Sequence, residues 1–142
     1  MLAGVGADQR VKVIDMGLAV RIPPAGHPIH DVRQVGKPQY MPPEIFLSRP
    51  YYPVEVDVWC IGVCLYLLLF GRYPYAKQVD DPYFDVIASG RLLQQLLAWH
   101  WVGPGGVSTL AADLLCRMLV VEPQRRIRVS EALAHQWFRA AL

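Results

Sequence analysis

The chain has 142 residues, 54% hydrophobic and 18% charged, the balance of one globular domain. A formal net charge of +2 gives no electrostatic argument for nucleic acid or a membrane as partner. Three cysteines, an odd number without even spacing, exclude a disulfide scaffold and point to reduced thiols in an intracellular, cytoplasmic setting.

The first ten residues, MLAGVGADQR, hold no long apolar run with a basic flank, so no signal peptide is expected. Residues 11–14, VKVI, predict a short strand. Asp15, Met16 and Gly17 follow at its end. A carboxylate beside a Gly turn is able to coordinate a hard cation, although such turns are also common structural punctuation. Residues 21–39 carry Pro23, Pro24, Gly26, Pro28, Gly36 and Pro38, which predicts a long irregular loop. No Ser or Thr occurs between Asp15 and Ser48. His27 and His30, alone in that loop, read as solvent-exposed spacers rather than ligands. Pro42, Pro43 and Glu44 form a helix start, with Pro tolerated in the first turn and Glu favoured by the dipole.

Tyr51, Tyr52 and Pro53 predict a turn into a central helix over Asp57 to Gly71. That stretch, DVWCIGVCLYLLLFG, is apolar nearly all round, the mark of a buried helix. Its uninterrupted apolar run covers 13 residues, Val58 to Phe70. A membrane span needs roughly 20, so a core helix is the expectation. Asp57 is placed in the first turn, where acid suits the dipole, and its carboxylate is able to accept backbone N–H bonds from a neighbouring loop. Gly71 is the expected C-terminal cap, with Pro74 beyond it. Cys60 and Cys64, one turn apart, read as small core residues rather than metal ligands.

Asp80, Asp81 and Pro82 predict a further helix start, running to about Ser89 and stopped by Gly90. Leu92, Leu93, Leu96, Leu97 and His100 keep helical spacing. Ser108 or Thr109 caps the next helix, whose core stripe is Leu110, Leu114, Leu115, Met118 and Leu119, with Pro123 at its end. Glu122 to Ile127, EPQRRI, reads on its own as a solvated basic turn with Arg128. Ser130 is the expected cap of a last helix with Leu133 inward.

Five stretches of the sequence carry a resemblance. DVWCIGV followed by LLLFGRYPY resembles the core helix of the protein kinase C-terminal lobe, D-x-W-S-x-G-V, with Asp57 and Trp59 in structural positions. DMG resembles the family's D-F-G, with Met16 for Phe. That implies magnesium binding by Asp15 and a nucleotide-binding turn at Asp15 and Gly17. GKPQYMPPE resembles the G-T-x-x-Y-x-A-P-E end of a serine/threonine kinase activation segment, with Lys37 for Thr and Pro42 for Ala. It implies substrate docking at Gly36, Lys37 and Tyr40. EPQRRI resembles P-x-x-R-I, which pairs Arg126 with Glu44, and HQWF resembles the closing H-P-W-F.

The resemblance implies a mainly α fold: the large lobe of the kinase-like architecture, with a short strand near the N-terminus and the small lobe absent. Residues 1–142 would form a partial kinase domain, with the metal-binding turn and activation segment at 11–44 and a helical subdomain at 45–142. The implied function is part of an enzyme transferring the ATP γ-phosphoryl group to protein Ser/Thr, with ATP and Mg2+ as cofactors and a protein substrate or docking partner. The sequence has no Gly-rich loop, strand lysine, partner-glutamate helix or H-R-D-x-x-x-x-N loop, hence no catalytic residue of that loop. The fragment alone is therefore expected to be catalytically incompetent. The alternatives are a non-catalytic interaction module or a truncated gene product. Three structural expectations follow. Glu44 and Arg126 pair while Arg125 and Arg128 face solvent. Asp57 makes only local contacts. One apolar face of Val58 to Phe70 is partly bare.

Overall fold

A computed structural model describes residues 2–3, 10–24 and 26–140. Two strands, β1 (Leu2–Ala3) and β2 (Arg10–Val11), pair antiparallel, with Leu2 opposite Val11 and Ala3 opposite Arg10. Seven helices follow among the described residues: α1 (Pro43–Phe46), α2 (Pro53–Phe70), α3 (Pro82–Ala88), α4 (Leu92–Ala98), α5 (Thr109–Met118), α6 (Val129–Leu133) and α7 (Gln136–Ala140).

The core is built where α2 packs on α5. Trp59, Val63 and Tyr66 lie along one side of α2, and Ala112, Leu114 and Leu115 of α5 are fully buried with them. Gly62 lets the two elements close. A Cβ there would stand 2.9 Å from the Met118 Cβ and 2.9 Å from a Leu119 methyl. Gly71 ends α2 in the left-handed conformation at φ 68, the backbone state that glycine adopts without steric cost. α5 starts where the Ser108 hydroxyl accepts from the Ala111 N–H. α4 adds Leu92 and Leu96 to the core.

Asp81 both caps α3 and shapes the loop before it. One carboxylate oxygen accepts from the Tyr83 and Phe84 N–H groups, the other from Ala76 and Lys77. Burial pushes this carboxyl up, but the four backbone donors outweigh it and hold Asp81 below the usual carboxylate range.

Several expectations are corrected. The strand over 11–14 is reduced to Val11 paired through β2, and Val13 and Ile14 stay exposed, with no sheet or core beneath them among the described residues. Asp15 does not end a strand. It sits at φ 60 and opens a short 3-10 turn over Met16–Leu18. The central helix begins at Pro53, four residues earlier than expected, because the fixed φ of Pro suits the first helical position. The acid in its first turn is therefore Glu55, not Asp57. α5 ends at Met118, and Pro123 instead opens a 3-10 turn over Pro123–Arg125. Ser130 lies inside α6, which starts after Arg128, and the Glu131 carboxylate reaches back to the Arg128 N–H at 2.9 Å. Leu133 points out, and Ala132 is the residue α6 buries. Cys64 is exposed rather than in the core, and Cys60 is half-buried.

At 18 residues, α2 is long and apolar enough to cross a membrane by length and composition alone. Its contacts with α5, and Glu55 and Asp57 in its first two turns, mark it as a core helix. The packing leaves one stripe uncovered. Ile61 is 51% and Leu68 84% exposed, with Asp57 and Cys64 on the same face.

Candidate functional site

The loop over 21–39 is irregular, as its Pro and Gly content predicts. It is tied down nonetheless. Ile29 and Tyr51 exchange backbone hydrogen bonds at 2.8 and 3.0 Å. The Gln34 amide donates to the Phe46 carbonyl at 2.7 Å and to the Ser48 hydroxyl at 3.1 Å. His27 and His30 are exposed.

Gln34 and the Ile29 bridge bring the loop back to α1, where Pro42 and Pro43 start the helix and Glu44 sits in its first turn. Glu44 is buried, and its carboxylate meets the buried Arg126 guanidinium bidentately at 2.6 and 2.7 Å. The remaining donors of Arg126 reach the carbonyls of Val120 at 2.7 Å, Glu55 at 2.9 Å and Val121 at 3.2 Å. All five guanidinium N–H groups are used. The Arg126 carbon also lies 4.9 Å from the centre of the Trp59 ring. One arginine thus joins α1, the start of α2, the chain after α5 and the turn before α6. Arg125 and Arg128 are exposed, as the motif register requires.

A second knot fixes the chain just before α1. The Trp59 Nε1–H donates to the Tyr75 hydroxyl at 3.0 Å, and that hydroxyl donates to the Met41 carbonyl at 3.2 Å. The Gln78 amide donates to the same carbonyl. Tyr40 packs edge-on against Tyr73, ring centres 5.5 Å apart, with the two hydroxyls 3.3 Å from each other. That bond, and burial after it, push the Tyr40 phenol up to about 12. Tyr73 and Tyr75 belong to the LLLFGRYPY stretch, but their bonds, and that of Gln78, are not legible in the sequence.

Tyr40 and Met41, held by this knot, line a cavity of about 410 Å³. Gly36 and Lys37, Asp57 and Cys60 of α2, and Leu18, Val20 and Ile22 line it as well. The structure therefore brings together the three residues expected to dock substrate, in a cavity that Asp57 also lines. Gly36 has φ 93, so the turn into Lys37 needs glycine. Lys37 is exposed, and its carbonyl accepts from the Tyr40 N–H at 3.0 Å.

Asp57 is exposed, and no hydrogen bond or ion pair forms to its carboxylate among the described residues. Partial burial against the cavity wall raises its carboxyl above the ordinary value. Cys60 donates to the Tyr40 carbonyl at 3.3 Å, and burial, then the Asp57 charge, push its thiol up to about 12. Burial keeps this half-buried thiol protonated and unreactive.

Asp15 is not among the residues lining this cavity. Its carboxylate accepts from the Gly17 N–H at 3.4 Å, and a Cβ on Gly17 would stand 3.3 Å from that same oxygen. The bond uses one oxygen and leaves the other open to solvent. No group of three His, Cys, Asp or Glu side chains able to hold a metal occurs among the described residues. One free carboxylate oxygen fits Mg2+, which is usually held by one or two carboxylates together with substrate phosphates.

Comparison with known proteins agrees with this geometry. The family described as "Protein kinase domain" matches residues 4–138. Calcium-dependent protein kinase 11 of Arabidopsis thaliana is 38% identical over 130 residues, which is 92% of this chain and 24% of that protein. Calcium-dependent protein kinase 9 of Arabidopsis thaliana is 36% identical over 129 residues, covering 91% of this chain and 22% of the relative. Serine/threonine protein kinase OSK3 of Oryza sativa subsp. indica is 37% identical over 132 residues, 93% of this chain and 24% of the relative. The chain thus spans about a quarter of the length of these curated relatives. The match over residues 4–138, the helical fold and the Glu44–Arg126 joint agree: this chain belongs to the eukaryotic protein kinase family, serine/threonine type.

Proposed function

We propose that this chain serves a kinase that transfers the γ-phosphoryl group of ATP to Ser or Thr of a protein substrate, and that residues 1–142 alone do not carry out the transfer. The observation that carries this reading is the buried bidentate pair of Glu44 and Arg126, which fixes the end of the activation segment to the helical body. That anchor holds Gly36, Lys37 and Tyr40 at one cavity edge, a place for the substrate chain near its phosphoacceptor.

Asp15 would hold Mg2+ through its free carboxylate oxygen, and Gly17 keeps the turn open enough for that carboxylate. Bound Mg2+ would neutralise charge on the nucleotide phosphates. No described side chain in the cavity is placed as base for a substrate hydroxyl. Asp57, the carboxylate there, lies on the central helix and resembles a structural residue of the family. The free thiols of Cys60, Cys64 and Cys116 support an intracellular, cytoplasmic setting.

The bare stripe of Ile61 and Leu68 favours a second reading, a docking module without catalysis. A chimera separates the two. Residues 11–138 replace the matching segment of a relative such as Arabidopsis calcium-dependent protein kinase 11. The expected result is labelled phosphate on a protein substrate, lost on Asp15→Ala. A folded chimera without transfer supports the docking module. Steady transfer by residues 1–142 alone would overturn the claim of incompetence.

A further inference from the structure

His135 stands between α6 and α7 with its side chain only 10% exposed. Both ring nitrogens are engaged. Nδ1 accepts from the backbone N–H of Trp137 at 3.2 Å, in the first turn of α7. Nε2 lies 3.0 Å from the Asp113 carboxylate on α5. A nitrogen that accepts carries no proton, so in the neutral ring the proton is on Nε2 and is donated to Asp113. The imidazole is thus the cap of α7 and its tether to α5 at once.

We propose that His135 is a proton-sensitive cap: a second proton on its ring takes the acceptor away from the Trp137 N–H at the start of α7, while Nε2–H stays on Asp113 of α5. The added proton must go to Nδ1, where it faces the Trp137 N–H, donor against donor. It also places a positive charge at a helix N-terminus, where the dipole opposes it. The groups facing the ring determine whether this cost is offset. Asp113 attracts the cation, but the Arg117 Nε–H, at 3.0 Å, shares the same carboxylate oxygen. Arg125 and Arg126 of the preceding turn, and Glu131 of α6, line the same hollow. Arg126 is committed to Glu44, and Glu131 to the Arg128 N–H. Arginines keep their charge throughout. Burial pushes the Asp113 carboxyl up, but bonds from Arg117 and His135 outweigh it and hold it below the usual range. Asp113 therefore remains an ionised acceptor for Nε2–H.

The test uses the whole 142-residue chain with 15N-labelled histidine. Long-range nitrogen–proton correlation at high pH is expected to show His135 with its proton on Nε2. A proton on Nδ1 overturns the proposal without any variant. The second arm follows hydrogen exchange at the Trp137 amide from about pH 8 to about pH 5, the range in which histidine changes charge. After correction for intrinsic exchange, protection is expected to fall about tenfold, the equivalent of one ordinary hydrogen bond. In His135→Asn, whose amide oxygen caps without titrating, protection stays flat. A flat wild-type profile, or the same fall in His135→Asn, overturns the proposal.

Discussion

The guanidinium of Arg126 lies over the ring of Trp59, 4.9 Å from its centre, so the ion pair with Glu44 rests on the central helix. Both charges are removed from water, and every donor of the arginine is used. Removing one partner leaves a buried charge uncompensated. Glu44→Ala or Arg126→Ala should each cost about 3–5 kcal/mol in urea denaturation. Arg126→Lys should fare little better, since an ammonium cannot reproduce the fork. Arg125→Ala should change stability by less than about 0.5 kcal/mol. Equal effects at 125 and 126 would refute the assignment.

Gly62 is the tightest point between α2 and the end of α5. Gly62→Ala would normally gain helix propensity. Here the new methyl meets Met118 and Leu119, so the crossing must open. The expected outcome is a loss of about 1–3 kcal/mol. A stabilised variant would show that the helices part more easily than the packing implies.

The bare face of α2 should make the isolated chain sticky. Ile61 and Leu68 are expected to bind a hydrophobic dye and to drive self-association seen by light scattering. The double change Ile61→Ser and Leu68→Ser should reduce both signals, because neither side chain contributes to the core. A monodisperse wild-type monomer that ignores the dye would contradict this.

Asp81 makes stability depend on acid. Its folded carboxyl is held below the usual range, so its contribution is complete above the unfolded value, about 3.9 for Asp. That contribution is lost as pH falls through the lower folded value. Asp81→Asn should remove this part of the acid transition and cost about 1 kcal/mol near neutral pH through a weaker cap. Identical acid transitions in the two proteins would place the titration elsewhere.

Local signals and motifs were legible in sequence; geometry made by distant partners was not. Asp81 before Pro82, Ser108 before α5 and Gly71 after α2 act within one turn of themselves, and each caps where its residue type predicts. The Glu44–Arg126 pair, 82 residues apart, was readable only because two motifs fall in a known order. Nothing local in EPQRRI separates Arg126 from Arg125. The three carbonyls around Arg126, and Tyr75 and Gln78 on Met41, belong to backbone paths that periodicity does not describe. Ser130 is not a cap because α6 already starts at Val129, where the Glu131 carboxylate accepts from the Arg128 N–H. VKVI failed as a full strand because apolar alternation needs a neighbour, and β1 offers only two residues.

The loop that carries Ile29 and Gln34 is held by main-chain bonds to Tyr51 and by one side-chain amide. Its stretch from Asp15 to Ser48 has a single phenol, Tyr40, already engaged with Tyr73. An upstream serine/threonine kinase therefore has no residue to mark between those two positions. The bonds that fasten the loop are main-chain and amide bonds made on folding, so its ordering does not wait on a phosphorylated Ser or Thr.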